Sequence, residues 1–321
     1  MEKERKLCAR IIEQCLSIYV GDEILIQKIL AAALANGHIL FEDNPGLAKT
    51  LLAKTLAFSL GSQFCRVQFT PDLLPADILG TNVWKHAKEV FELIKGPIFT
   101  NLLLADEINR SPPKTQSALL EAMEERQVTI EGETHRLIEP FLVMATQNPL
   151  EFEGTFPLPE AQVDRFLIKI STGYPRTLED EKSILLRRIE WQKDDPTRDI
   201  KPVVSPEEFL ELQRKVETGI YVDDTILEYI AQIVRGTREN QRVEVGSSPR
   251  GGLALLKTAR ATALLNGRDY VIPDDVKVFA TEALAHRLIL KPEHVLGGVE
   301  EKEVVKEVID KVPVPKDYSP R

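Results

Sequence analysis

Cysteine is scarce in this chain: Cys8, Cys15 and Cys65 are the only three among 321 residues. An odd number with no C-x-x-C pair supports neither a disulfide framework nor a structural zinc site. Histidine is nearly as rare, with five residues. His86, His135 and His286 lack neighbours at metal-ligand spacing, so each reads as an ordinary surface or core residue. No apolar run approaches the roughly 18 to 20 residues that a membrane helix needs. The opening stretch, Met1 to Arg10, is charged and lacks the apolar centre of a secretory signal. These absences lead to the expectation of a cytoplasmic protein without membrane insertion. Excess positive charge is missing as well. The formal net charge is −9, which argues against nucleic acid as the main partner, because phosphate contacts need clustered Lys and Arg. A local basic pore is still compatible with it. What remains is an ordinary globular composition, 43% hydrophobic and 28% charged, on a chain long enough to bury a sizeable core.

The sequence divides into two parts. From about residue 36 to 172, short apolar runs alternate with helical patterns, the signature of βαβ units and a parallel sheet. The strand candidates are His38–Phe41, Cys65–Phe69, Leu102–Ala105, Phe141–Thr146 and Phe166–Ile170. Each is short, apolar and bounded by polar or turn residues, as buried parallel strands should be. After Gly173-Tyr174-Pro175 the segments read as helical. Ser205-Pro206-Glu207-Glu208 forms a capping box with proline at the first helical position. Further helices are expected to open at Asp223 or Asp224, at Ser248-Pro249 and at Pro273-Asp274-Asp275. The expectation is therefore a parallel-sheet α/β P-loop core over residues 1–172 and an all-α lid over 173–321. The linker falls near residues 171–178, and the end, Lys316 to Arg321, is expected to fray.

The segment Asn44-Pro45-Gly46-Leu47-Ala48-Lys49-Thr50 follows a predicted strand and precedes a predicted helix, Leu51–Leu60. That is the context required for the phosphate loop G-x-x-x-x-G-K-[ST]. Backbone N–H groups along Asn44, Pro45 (which itself has none) and Gly46 to Leu51 would surround the phosphates at a helix N-terminus. Lys49 would reach the β- and γ-phosphates, and Thr50 would offer its hydroxyl to Mg²⁺. Two consensus glycines are replaced, by Asp43 and Ala48. Ala48 is harmless if its backbone is right-handed helical. Asp43 brings a carboxylate close to a polyanion unless its side chain turns away. An ordinary strand–turn–helix with an exposed lysine would look similar on its own.

A second motif separates these readings. Asn101-Leu102-Leu103-Leu104-Ala105-Asp106-Glu107 is an apolar strand ending in two acids. Beside a phosphate loop, such a strand delivers an aspartate to the magnesium shell, here Asp106. Glu107 then has the position to polarise an attacking water as general base. A solvated Asp-Glu turn is common by itself but rare downstream of a Lys-Thr phosphate loop.

With both motifs in view, the sequence resembles the MoxR-type AAA+ ATPases. The residues carrying the resemblance run from Leu104-Ala105-Asp106-Glu107-Ile108-Asn109-Arg110 through Pro112-Pro113-Lys114-Thr115-Gln116-Ser117-Ala118-Leu119-Leu120-Glu121-Ala122-Met123-Glu124-Glu125. They continue in Ala145-Thr146-Gln147-Asn148-Pro149, Leu158-Pro159-Glu160-Ala161-Gln162-Val163-Asp164-Arg165-Phe166, Ser248-Pro249-Arg250 and Gly267-Arg268-Asp269-Tyr270-Val271-Ile272-Pro273-Asp274-Asp275. The resemblance implies further roles. Asn148 would be sensor 1, a polar group orienting the attacking water. Arg165 would be an arginine finger delivered to a neighbouring subunit. Arg250 would be sensor 2, placed where the helix dipole disfavours a cation unless a phosphate is near. Val20-Gly21 would lie against adenine. ATP with Mg²⁺ is the implied cofactor set, and the implied assembly is a homo-oligomer, a hexameric ring.

Gly251-Gly252 stands out inside a predicted lid helix, since glycine costs about 1 kcal/mol per helix-interior site. Two segments read as projecting elements: Val83-Trp84 through Phe91-Glu92-Leu93-Ile94, and the hairpin Val128–Thr134 with a tight turn at Glu131-Gly132. The resemblance implies that such hairpins couple hydrolysis to a partner protein, including partners with a von Willebrand factor A domain and metalloenzymes under maturation. A chelatase motor, a nucleic-acid translocase and a slow nucleotide switch are the competing tasks. The second hairpin sets Glu131 and Glu133 against His135 and Arg136, which weakens the translocase.

Overall fold

The computed structural model describes residues 1–86, 89–149 and 154–316. The expected fraying past Lys316 lies outside these residues. Two helices open the chain, α1 (Glu2–Ile18) and α2 (Glu23–Leu34). The motif-based reading did not anticipate them, although α1 carries a regular apolar stripe of Cys8, Ile11, Ile12 and Cys15, all buried. Asp22 caps α2 by accepting from the Ile24 amide.

The α/β core follows as β1 (Ile39–Glu42), α3 (Lys49–Ser59), β2 (Phe64–Gln68), α4 (Pro75–Leu79), the hairpin β3 (Gly80–Lys85) and β4 (Val90–Lys95), β5 (Leu102–Asp106), α5 (Pro113–Glu125), the hairpin β6 (Gln127–Ile130) and β7 (Glu133–Arg136), β8 (Leu142–Gln147), α6 (Glu160–Val163) and β9 (Ile168–Ile170). All five expected strands form one parallel sheet in the order β2-β5-β8-β1-β9. Their continuous apolar runs arise because both faces are covered. Along β5 and β8 alternate residues serve different layers. Leu102, Leu104, Leu142 and Met144 join a core with α1, α2, α3 and the lid. Leu103, Ala105, Val143 and Ala145 join a second core with Leu119, Leu120 and Met123 of α5. His38 ties the layers together. Its Nδ1 accepts from the Val143 amide at 2.9 Å, so Nε2 carries the proton and donates to the Met123 carbonyl at 3.1 Å. Burial holds this imidazole well below its usual pKa and keeps it neutral. In the second hairpin, Glu131 and Gly132 both have positive φ, the two-residue turn expected there.

The lid comprises α7 (Leu178–Trp191), α8 (Pro206–Gly219), α9 (Asp224–Glu239), β10 (Val243–Val245), α10 (Pro249–Leu265), α11 (Pro273–Leu284), β11 (Ile289–Leu290), α12 (Pro292–Leu296) and α13 (Glu301–Lys311). It is helical as expected, with the addition of a small antiparallel ladder between β10 and β11. The capping box at Ser205 and Glu208 forms in both directions, at 2.9 and 3.2 Å. Gly251 is explained by close approach: a Cβ there would lie 2.0 Å from Ser247 Oγ and 2.8 Å from a Leu284 methyl. The lid rests on the N-terminal helices as well as on the sheet. Lys28 pairs with Glu282 at 2.5 Å, Lys215 pairs with Glu4 at 2.6 Å, and Gln213 donates to the Ala33 carbonyl.

This topology positions the site. In an open parallel sheet, ligands bind outside the carboxyl ends of the strands. Here β1, β5 and β8 are the three interior strands. The segments leaving them carry Lys49, Glu107 and Asn148.

Candidate nucleotide-binding site

The loop between β1 and α3 turns sharply. Gly46 has φ +84°, and Ala48 has φ +54° with ψ +20°. Ala48 is therefore left-handed, not right-handed as the sequence reading allowed, and an alanine there bears strain of about 1–2 kcal/mol. Helix α3 begins at Lys49 without a side-chain cap. Its first-turn amides are thus left for an anion. Asp43 keeps a negative φ, and its carboxylate is engaged by donors on residues 171–173.

Two adjoining cavities share this loop. One, about 420 Å³, is lined by the loop with Lys49 and Thr50, together with Asp106, Glu107 and Asn148. The other, about 440 Å³, is lined by Val20 and Gly21 on one side and by Ser171 to Arg176 on the other. Gly46, Leu47, Ala48 and Leu51 border both. Gly21 lets the Tyr19 ring lie close, since a Cβ there would fall 2.3 Å from it and displace it. A third and larger cavity, about 780 Å³, lies beyond Asn148 toward the lid and contains none of the phosphate-loop residues.

Lys49 extends over its own loop, donating to the carbonyls of Asn44 at 2.9 Å and Asp43 at 3.3 Å. Burial lowers its pKa, and the negative charges of Asp43, Asp106 and Glu107 partly restore it. Asp106 and Glu107 sit at the end of β5. The Thr146 hydroxyl donates to Asp106 Oδ1 at 2.6 Å and accepts from the Glu107 amide at 2.8 Å, so a single β8 side chain orients both acids. Glu107 has φ +55° and ψ +51°, a strained backbone at the residue expected to act as base. Arg66 of β2 holds Asp106 Oδ2 through Nε at 3.0 Å and Nη2 at 2.6 Å. Gln68 donates to Glu107 Oε2 at 2.6 Å, and Arg110 reaches the same oxygen at 2.9 Å. Asn148 is buried at the end of β8.

Arg165 and Arg250 are elsewhere. Neither lines the two cavities that share the phosphate loop. Both converge on one carboxylate, Glu124 at the end of α5. Arg165 Nε lies 3.2 Å from Glu124 Oε2, while Arg250 Nη2 binds Oε1. Arg250 also lies 3.8 Å from Asp164, which is gripped by the buried Arg287 at 2.6 Å. Glu124 thus supplies, beside the α10 N-terminus, the negative charge that Arg250 needs there. The sequence reading missed Thr146, Arg66, Gln68, Glu124 and Arg287. Their only signal is adjacency in the fold.

Comparisons with known proteins identify the family and the fold. Residues 38–168 match a family of ATPases associated with various cellular activities (AAA), and residues 235–308 match the AAA lid domain. The chain is 48% identical over 309 residues to the uncharacterized protein YeaC of Bacillus subtilis (strain 168), covering 96% of this chain and 95% of that one. It is 42% identical to the chaperone MoxR1 of Mycobacterium tuberculosis, covering 95% of this chain and 82% of the relative. A crystal structure of a candidate ATPase from Cytophaga hutchinsonii superposes with a TM-score of 0.90 at 40% identity, covering 98% and 96% of the two chains. With a parallel five-stranded core, a helical lid, the phosphate loop and the acid pair all in place, the chain belongs to the MoxR family of AAA+ ATPases.

Proposed function

We propose that this protein hydrolyses ATP in a hexameric cytoplasmic ring and uses the cycle to remodel or activate a partner protein. The observation that carries this reading is a division of labour. Lys49, Thr50, Asp106, Glu107 and Asn148 face one cavity, whereas Arg165 and Arg250 share Glu124 away from it. A neighbouring copy is the natural recipient of those two cations. We retain the division into a core over residues 1–172 and a lid over 173–321, because the base cavity is walled by the segment joining them.

The adenine would lie between Val20-Gly21 and the linker, with phosphates over the loop from Asn44 and Pro45 to Leu51, where every residue but Pro45 has a backbone N–H to donate. Mg²⁺ would fit the donor set, because Thr50 and Asp106 offer the hard oxygens this ion prefers and would hold it beside the phosphates. When bound, it would neutralise charge on the phosphates. Among the described residues there is no cluster of three or more His, Cys, Asp or Glu able to hold a metal on its own. Lys49 leaves the loop carbonyls for phosphate oxygens. Glu107 accepts the proton of the attacking water, and Asn148 holds that water in line. Arg165 and Arg250 of the adjacent copy stabilise charge on the transferring group.

The exposed aromatics of the β3–β4 hairpin suit a protein partner. Phe91 is 67% exposed and stacks edge-on with Trp84. Partners with a von Willebrand factor A domain and metalloenzymes awaiting their metal are the candidates, and no helix among the described residues is long and apolar enough to cross a membrane. The deciding experiment is steady-state ATP hydrolysis with Mg²⁺ over a range of protein concentrations, with Glu107→Gln as control. Turnover per chain should rise with concentration and vanish in the variant. Turnover independent of concentration would remove the shared-site reading.

A further inference from the structure

Asp43 stands where the phosphate-loop consensus has glycine, yet its backbone does not use a glycine conformation. Its side chain explains the residue. Asp43 is 5% exposed, and a buried carboxylate must find donors. It finds four, all on three consecutive residues. The Ser171 hydroxyl and the Gly173 amide donate to Oδ1, and the Thr172 amide and hydroxyl donate to Oδ2 at 2.8 and 3.0 Å. A parallel contact lies one residue on, where Asn44 Nδ2 donates to the Tyr174 hydroxyl at 3.2 Å. The ladder between β1 and β9 ends at Phe41 opposite Ile170. Asp43 therefore continues the attachment beyond the last strand pair. Its partners, Ser171, Thr172 and Gly173, with Tyr174, line the base cavity opposite Val20 and Gly21.

We propose that Asp43 is a specificity-determining residue, a strut by which the phosphate loop holds the outer wall of the base cavity in register. The proposal rests on the reading of the two cavities as an ATP site. With the strut in place, a nucleotide anchored by its phosphates meets a preformed base pocket, and preorganisation of this kind enters affinity directly. A glycine at this position would leave the loop amides as they are and release the donors of residues 171–173 from the loop.

The test separates base from phosphates. Affinities of the full-length protein for ATP, GTP and pyrophosphate are measured by calorimetry in Mg²⁺ for wild type, Asp43→Gly and Ser171→Ala. Wild type should favour ATP over GTP. In Asp43→Gly that preference should fall by about tenfold, equivalent to about 1.4 kcal/mol, while pyrophosphate affinity stays within about threefold of wild type. Ser171→Ala, which removes one donor from the linker side, should lower the preference by a smaller factor. If Asp43→Gly fails to fold, Asp43→Asn takes its place, with the same direction expected. An unchanged ATP to GTP ratio in the folded variants, or pyrophosphate affinity that falls in step with ATP, overturns the strut. So does a wild type without base preference. Wild type that binds neither ATP nor pyrophosphate defeats the underlying nucleotide reading instead, and the two failures are distinguishable.

Discussion

The phosphate cavity and the Glu124 face handle charge in opposite ways. In the cavity, acids are held by neutral and cationic neighbours from the same chain: Asp106 by Thr146 and Arg66, and Glu107 by Gln68 and Arg110. On the Glu124 face two arginines crowd one carboxylate, with Arg165 and Arg250 side chains 30% and 46% exposed. The cavity gathers two acids and the uncapped first turn of α3 from one chain. The Glu124 face gathers cations away from the phosphate loop. Exposed ion pairs contribute little stability, about 0–1 kcal/mol each, so stability alone does not account for this clustering. Delivery to another molecule, the proposed role, would.

The largest effect that would break this comparison is at Arg165. If the finger acts across an interface, Arg165→Ala should lower kcat by about 10³-fold or more with the folded state intact. Mixed with Glu107→Gln, which retains the finger and lacks the base, hydrolysis should return in proportion to mixed interfaces. Equal inactivity of the mixture and the separate variants would assign Arg165 to its own chain. Next comes Glu107→Gln alone. Loss of a general base predicts a fall in kcat of about 10²- to 10⁴-fold, with nucleotide affinity retained. Retained turnover would move the base role to another residue and make the strained backbone at Glu107 an unrelated feature.

The cavity was more legible in the sequence than the Glu124 face, for a physical reason. Phosphate loops and acid pairs are local: Gly46, Lys49 and Thr50 belong to one short segment, Asp106 and Glu107 are adjacent, and their strands announce themselves as unbroken apolar runs. Glu124, Arg165 and Arg250 come from α5, the segment after α6, and the lid, and only tertiary packing unites them. Thr146 was similarly hidden, since nothing local distinguishes a strand-end threonine that orients two acids on the neighbouring strand. The helices α1 and α2 went unread although their periodicity was present. Ala48 shows the limit of motif reasoning from the other side: the residue identity was plain, but its left-handed backbone follows from the turn geometry.

That backbone gives a third prediction, smaller than the kinetic ones. Ala48→Gly should relieve left-handed strain and stabilise the protein by about 1 kcal/mol, read as a rise in the denaturant midpoint at constant m. A lowered midpoint would show that the loop is held by contacts outweighing its torsional preference.

The smallest expected gain, at Gly252, concerns the lid turn that presents Arg250, where the neighbouring glycine serves as its contrast. Gly251 and Gly252 are neighbours in α10, yet their surroundings differ. At Gly251 a methyl would collide with Ser247 Oγ at 2.0 Å, a hydroxyl carried on a fully buried residue. At Gly252 it would meet a Val234 methyl at 3.5 Å and an Ile230 methyl at 3.8 Å, ordinary contact distances. Helix propensity favours alanine at both sites by about 0.8–1.0 kcal/mol. Only Gly252 can use that gain. Gly252→Ala should therefore stabilise the lid by about 0.5–1 kcal/mol, while Gly251→Ala should destabilise it by about 1–3 kcal/mol through overpacking. Thermal unfolding of the two variants checks the sign of each. If Gly252→Ala also lowers turnover in assembled protein while raising stability, the turn bearing Arg250 must bend during the cycle, and the contrast between the cavity and the Glu124 face becomes one of motion as well as charge.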